Sequence, residues 1–170
     1  MDKKIFIGAD IVPTETNYEL FKLGNVNELI GKELFHKLKQ ADFIIMNLET
    51  PLCDSFTPIP KCGPNLCAPE NTIVGLSKIN PYFFTLANNH ILDQGENGLR
   101  TTINNLRKYN IEFAGAGENL FEAERAYVKE IKGYNIGIYC CTEHVFSIAT
   151  EESWGANPFD PLVSFDRVRE

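Results

Sequence analysis

Apolar and polar positions along the chain alternate between two periods. "KIFIGA" (4–9), "DFIIMN" (42–47) and "YFFTLA" (82–87) are almost unbroken apolar runs of strand length. A strand covered on both faces has no polar side to show, so all three are predicted as buried strands. Between them the spacing changes to that of amphipathic helices. "LIGKELFHKLKQ" (29–40) places Leu34, Phe35 and Leu38 on one face, and "PENTIVGLSKI" (69–79) carries a stripe of Ile73, Leu76 and Ile79 with Pro69 in the first turn. "ENGLRTTINNLRKYN" (96–110) turns Leu99, Ile103 and Leu106 inward and stops at Asn110. "IEFAGAG" (111–117) reads as a fourth short strand and "NLFEAER" as a short helix. "AYVKEI" and "NIGIYCC" flank Lys132-Gly133-Tyr134 as a hairpin, and "PLVSFDRVRE" opens a last helix with Val163 and Val168 inward.

Strands alternating with amphipathic helices predict an α/β domain with a mainly parallel sheet, followed by an antiparallel hairpin. Proline and glycine concentrate in "PLCDSFTPIPKCGPNLCAP" (51–69), a long surface loop of the kind that carries function more often than it merely connects. Trp154 reads as an anchor for the final loop.

Composition narrows the partners. A net charge of -7 with 44% apolar residues describes a globular chain without the clustered positive face that nucleic acid or an anionic membrane would require. Cys62 and Cys67 on the long loop have no CxxC or CxxH partner nearby, Cys140 and Cys141 lie in an apolar run, and all five cysteines, with Cys53, read as buried or incidental thiols. An odd count of such thiols points to a reducing compartment, the cytoplasm. The five-residue apolar stretch before Asp10 is too short for a signal peptide or a membrane span.

The candidate chemistry lies where the strands stop. In an open α/β sheet, ligands bind beyond the carboxyl ends of the strands. Those ends carry Asp10, then Asn47 and Glu49, then Asn88, Asn89 and His90. Parallel neighbours would bring all of them to one edge. Carboxylate and amide oxygens with one imidazole suit Mg²⁺, Mn²⁺, Fe²⁺ or Zn²⁺ with open positions for water, and a pair of ions could grip both oxygens of a displacement. Asp10 also fits a helix cap or Asx turn, and Glu49, just before Pro51, fits a solvated turn. Asn88-Asn89-His90 has no such ordinary account, because asparagine suits a strand end only when its amide finds partners. Asp93 and Gly95 form the turn into the next helix, with Asp93 also placed to hold His90.

"GAD", "NLETPL", "KCGPNLCAP", "LANNHILDQGENGLRTTINNL" and "FAGAGENLFEA", in this order, resemble the CapA family of capsule (poly-γ-glutamate) biosynthesis proteins, over roughly residues 3 to 165. That family carries a domain of the metallophosphatase, or calcineurin-like phosphoesterase, superfamily. The resemblance implies an αββα sandwich of mixed sheets flanked by helices, with divalent metals, one or two, at the strand ends. It implies Asp10 as the first metal-binding carboxylate, Glu49 as the bridging one, Asn89 as the amide ligand and His90 as the catalytic residue beside the departing group. The family's Gly-Asp is interrupted here by Ala9, which leaves the carboxylate in place. The superfamily completes its site with later histidines, whereas this chain has only His36, His90 and His144. His36 reads as an exposed helix residue. Glu143 and His144, just after a strand, are candidates for a substrate or ligand role, as are Lys61 and Asn65 on the long loop for an anionic polymer or phosphoester. The expectation is therefore the N-terminal part (1–170) of a CapA-like domain, holding metal weakly. Its function is a metal-dependent hydrolase acting on a phosphoester or γ-linked amide, or a non-catalytic polymer- or partner-binding module. An unfinished sheet also raises a homodimer that covers it. Family members are often membrane-anchored and face outward.

Overall fold

The protein is described by a computed structural model over residues 3–79, 83–144 and 146–169. The four apolar runs pair in one parallel sheet, in the order β1 (Ile5–Ile11), β2 (Phe43–Leu48), β3 (Phe83–Thr85) and β4 (Glu112–Ala114). Consecutive strands are spatial neighbours, so all four carboxyl ends reach the same edge. The amino end of the predicted third strand, Tyr82, lies outside the described residues. The α/β class is as expected, and a parallel sheet flanked by helices is consistent with the N-terminal portion of a metallophosphatase-like sandwich.

Three helices connect β1 to β2: α1 (Tyr18–Leu23), α2 (Val26–Ile30) and α3 (Lys32–Leu38). The single helix expected over 29–40 is in fact broken at Gly31, whose φ of 79° no helix accommodates. Of its expected apolar face, Leu38 is buried but Leu34 is 39% exposed, because α3 is too short to press two turns onto the sheet. Helix α1 escaped the periodicity, as a single-turn element must. A 3-10 turn (Glu70–Thr72) leads into α4 (Ile73–Ile79), and α5 (Gly95–Lys108) connects β3 to β4. The stripes Ile73, Leu76, Ile79 and Leu99, Ile103, Leu106 are all buried as expected. They pack with Ile44, Met46, Leu48, Phe84 and Leu86 on one face of the sheet. Each of these side chains contributes about 1.5–3 kcal/mol by leaving water.

The predicted strand 111–117 is two strands. Gly115, at φ 95°, turns the chain where a Cβ would sit 2.6 Å from Cys140 Cβ and 2.8 Å from Ala87 Cβ. After this turn β5 (Ala116–Gly117) leaves the main sheet and pairs antiparallel with β8 (Gly155–Ala156). Helix α6 (Leu120–Ala123) follows, capped by the Asn119 side chain on Glu122 N at 3.0 Å. The hairpin β6 (Tyr127–Ile131) and β7 (Tyr134–Ile138) forms as predicted. It covers the second face of the sheet over Phe43 and Phe83, where Tyr127 packs 4.7 Å from the Phe83 ring. Ile5 and Ile7 on the edge strand β1 are 40% and 74% exposed.

The last helix, α7 (Ser164–Arg169), exists, but its orientation differs from that expected: Val163 and Val168 are 46% and 65% exposed and Ser164 is buried. Asp160 N bonds Ser164 Oγ at 3.1 Å, Arg167 pairs with Glu124 at 2.9 Å, and the Phe165 ring meets Phe159 edge-on at 6.4 Å. Among the described residues no helix is long and apolar enough to cross a membrane.

Candidate active site at the strand ends

The register of β1 against β2 slips once. Ile7 pairs with Ile45 and Asp10 with Asn47, so three steps along β1 match two along β2. The extra residue is a β-bulge at Gly8–Ala9. Because side chains alternate along a strand, one inserted residue would otherwise turn Asp10 to the other face. The bulge absorbs Ala9 and sets Asp10 beside Asn47.

From there a chain of hydrogen bonds crosses all three strand ends. Asn47 Nδ2 donates to Asp10 Oδ1 at 2.8 Å. Asn47 Oδ1 accepts from Thr85 Oγ1 at 2.9 Å and from Asn88 Nδ2 at 3.2 Å. Asn88 also donates to the Leu48 carbonyl at 3.0 Å, and its own Oδ1 accepts the His90 backbone N–H at 3.0 Å. Asn88 is buried, and all of this amide's work is internal. It ties β3 to β2 and shapes the turn that presents His90. Nothing in the sequence marked Thr85 as part of this network, since a threonine in an apolar strand reads as strand propensity.

His90 is held from behind. Its Nδ1 lies 2.6 Å from Asp93 Oδ2, and its side chain is 15% exposed. A contact that short to a carboxylate oxygen requires the proton on Nδ1, so Nε2 is left as the nitrogen available to a substrate. Asp93 is fully buried. It also accepts from Leu66 N at 2.6 Å and forms an ion pair with Lys61, whose side chain is 1% exposed. Lys61 Nζ comes within 3.2 Å of His90 Nδ1. The ammonium expected to meet an anionic substrate is thus buried against Asp93 instead, because an unpaired interior carboxylate would be far more costly than an unpaired lysine on a loop.

The long loop is ordered by this arrangement. Buried Gln94 accepts from Thr57 N at 2.8 Å and donates to the Leu66 carbonyl at 2.9 Å, while Ile59 N donates to the Asp93 carbonyl at 3.0 Å. Asn65, a second candidate substrate contact, donates to the Ile59 carbonyl at 3.1 Å. Its Oδ1 and the Thr50 Oγ1 are buried without a hydrogen-bond partner. Both residues line a cleft of about 580 Å³ between the loop and the segment after β1, walled by Pro13, Tyr18, Cys53 and Cys67. A cleft of similar volume near Arg107, Arg125 and Trp154 is lined by none of Asp10, Asn47, Glu49, Asn88, Asn89 and His90. Trp154 itself is half-buried against the core beneath Arg100, whose guanidinium is 5.0 Å from the ring centre.

Glu49 and Asn89 are half-buried at the same strand ends, and among the described residues neither side chain has a hydrogen-bond partner. Glu143 and His144 are exposed. Their segment approaches the site through Phe146, whose ring centre is 5.7 Å from Lys61 Nζ. His36 is exposed on α3 and bonded to Gln40. Asp10, Glu49 and Asn89 offer oxygen donors of the right chemistry for a hard divalent cation. Among the described residues no three His, Cys, Asp or Glu side chains come close enough together to hold one ion by themselves.

The class is a parallel α/β sheet whose strand ends meet at an Asn-His turn backed by a buried carboxylate. The match to known proteins is more specific. Residues 4–165 match the model of the bacterial capsule synthesis protein PGA_cap, and the chain belongs to that family. It is 27% identical over 136 residues to the capsule biosynthesis protein CapA of Bacillus anthracis, covering 77% of this chain and 33% of the relative. It is 34% identical over 124 residues to a probable polyglutamine synthesis accessory protein of Mycobacterium tuberculosis, covering 72% of this chain and 32% of the relative. The chain therefore spans about a third of the length of the curated relatives it matches.

Proposed function

We propose that the strand ends carry a hydrolase-type site serving capsule polymer synthesis, with a phosphoester or a γ-linked amide as the bond cleaved. The observation that carries this reading is the His90–Asp93–Lys61 arrangement, a half-buried imidazole with Nδ1 bound to a fully buried, charge-paired carboxylate. Such backing fixes one tautomer and one ring orientation. With Nδ1–H held by Asp93, the doubly protonated ring hands its Nε2 proton to the departing oxygen or nitrogen while water attacks the phosphorus or carbonyl carbon, and the proton that the water gives up restores Nε2. Proton donation of this kind is typically worth about 10²- to 10⁴-fold in rate.

Asp10, Glu49 and Asn89 are the residues that would contact a divalent cation such as Mn²⁺, Zn²⁺, Fe²⁺ or Mg²⁺, with water or other groups filling the remaining positions. When bound, the cation supplies charge stabilisation to the reacting group. A specific observation favours a second reading: the Asp10 carboxylate is already engaged by the Asn47 amide, as in a site retained for binding polymer without turnover.

Two measurements separate the readings. Calorimetric titration with Mn²⁺ should show binding that weakens tenfold or more in Glu49→Ala and Asn89→Ala. Metal-dependent cleavage of an aryl phosphodiester or a γ-glutamyl oligopeptide should fall about 10²- to 10⁴-fold in His90→Asn. Turnover indifferent to His90→Asn would remove the catalytic reading. Polymer binding without turnover, weakened by Glu49→Ala, would establish the binding module.

A further inference from the structure

The loop that delivers Lys61 and Leu66 to Asp93 begins at Cys53 and ends at Cys67. Fourteen positions apart in sequence, the two sulfurs are 3.5 Å apart in space. The approach is built into the backbone. Leu52 and Ala68 form a parallel bridge, Cys53 N donates to the Ala68 carbonyl at 2.9 Å, and Ala68 N donates to the Pro51 carbonyl at 3.0 Å. Only weak bonds hold the thiols apart: Cys53 Sγ to the Ser55 carbonyl at 3.5 Å and Cys67 Sγ to the Cys53 carbonyl at 3.3 Å. A disulfide needs about 2.05 Å between sulfurs, a closure of about 1.5 Å that side-chain rotation can supply between clamped backbones.

We propose that Cys53 and Cys67 are the site of an oxidative cross-link that closes the base of the loop over the His90–Asp93–Lys61 centre. Both cysteines line the open cleft of about 580 Å³, which gives a small-molecule disulfide access. Burial, and then the neighbouring Cys67, push the Cys53 thiol up to about 12. Cys67, partly exposed, is therefore the sulfur that reacts first. The step balances as two exchanges. Cys67, as thiolate, attacks one sulfur of the external disulfide, breaks its S–S bond and releases one thiol. Cys53 loses its proton and its sulfur attacks Cys67 Sγ, forming the protein disulfide and expelling the second thiol. Two protein thiols are oxidised and one small disulfide is reduced. The cross-link forms in an oxidising compartment, and the cysteine count that pointed to the cytoplasm then reduces to three thiols, Cys62, Cys140 and Cys141.

The test uses the full chain in buffer containing oxidised glutathione, both by direct incubation and by refolding from urea in the same buffer, where every thiol is accessible. After blocking free thiols, trypsin cuts at Lys39, Lys61 and Lys78, placing Cys53 in peptide 40–61 and Cys67 with Cys62 in peptide 62–78. The expected result is a linked pair of these peptides, retained in Cys62→Ser and lost in Cys53→Ser and Cys67→Ser. Closing a loop of this length should raise Tm by about 5–10 °C, reversibly with dithiothreitol. Cys53 and Cys67 both recovered blocked or glutathionylated after oxidative refolding would overturn the proposal. So would a link that forms but lowers Tm. Neither outcome depends on whether the site is catalytic.

Discussion

The ion pair beneath His90 offers the sharpest test of how the site is held. Lys61→Met keeps the aliphatic stem and removes the ammonium. The pair is almost wholly buried, with side chains 1% and 0% exposed, so solvent cannot replace the lost partner. Breaking a buried pair costs about 3–5 kcal/mol when the surviving charge is left bare. Asp93 is not entirely bare, because His90 Nδ1 and Leu66 N still reach it at 2.6 Å each. The expected loss is therefore about 2–4 kcal/mol, toward the value of a single charge-assisted hydrogen bond. Urea unfolding followed by the single tryptophan, Trp154, reads it as a drop in the transition midpoint of about 1–2 M with little change in slope. Asp93→Asn should be similarly destabilising, because it leaves the lysine unpaired. The double substitution should cost less than the sum of the two by at least about 1 kcal/mol. A Lys61→Met protein within about 0.5 kcal/mol of wild type, or strict additivity, would refute the claim that this pair holds the loop.

Asn47→Leu should cost roughly 1–3 kcal/mol, because it leaves the Asp10 carboxylate, the Thr85 hydroxyl and the Asn88 amide each short of a partner. A thermal melt unchanged from wild type would show that this hub does not hold the strand ends together. A third expectation concerns acid. The Asp42 carboxyl is held below the usual carboxylate range, first by its hydrogen bond with Lys132 at 2.6 Å and then by the Lys4 backbone N–H at 3.0 Å. A folded-state pKa below the unfolded one means this contribution is complete above about pH 3.9 and fades as pH falls through the lowered value. Asp42→Asn should therefore flatten the stability profile below about pH 4 and leave its shape near neutrality unchanged. An identical acid limb in both proteins would contradict the assignment.

Much of the fold could be read from one dimension, and the reason is local. The strands β1, β2 and β3 and the stripes of α4 and α5 are continuous patterns whose period identifies the element and whose apolar side identifies the buried face. Where a pattern was too short to carry a period, the reading failed. Helices α1 and α2 have barely more than a turn each, Leu34 lies on a helix cut short at Gly31, and Val163 and Val168 lie just before and within a six-residue helix that buries Ser164 instead.

The site divides along the same line. Residue type and position after a strand were enough to nominate Asp10, Asn47, Asn88, Asn89, His90 and Asp93. Which of them touch was decided elsewhere. Asp10 meets Asn47 only because a bulge inserts one residue into β1, and a register is a property of two strands together. Lys61 lies 32 residues from Asp93, so its inward turn could not be inferred from its neighbours, whose polarity suggested a solvated loop.

Period and residue type along the chain were enough for the class of fold, the order of the four parallel strands with α4 and α5 among their connections, and the edge at which polar side chains gather. All three follow from hydrophobic period and from the parallel connection of neighbouring strands. Only the tertiary structure decided that Thr85 and Asn47 bind the strand ends together, that Lys61 faces Asp93, and that Cys53 meets Cys67. These are long-range pairings. Their free energies depend on burial and on distances of a few ångströms between segments far apart in the chain, and no local pattern records either quantity.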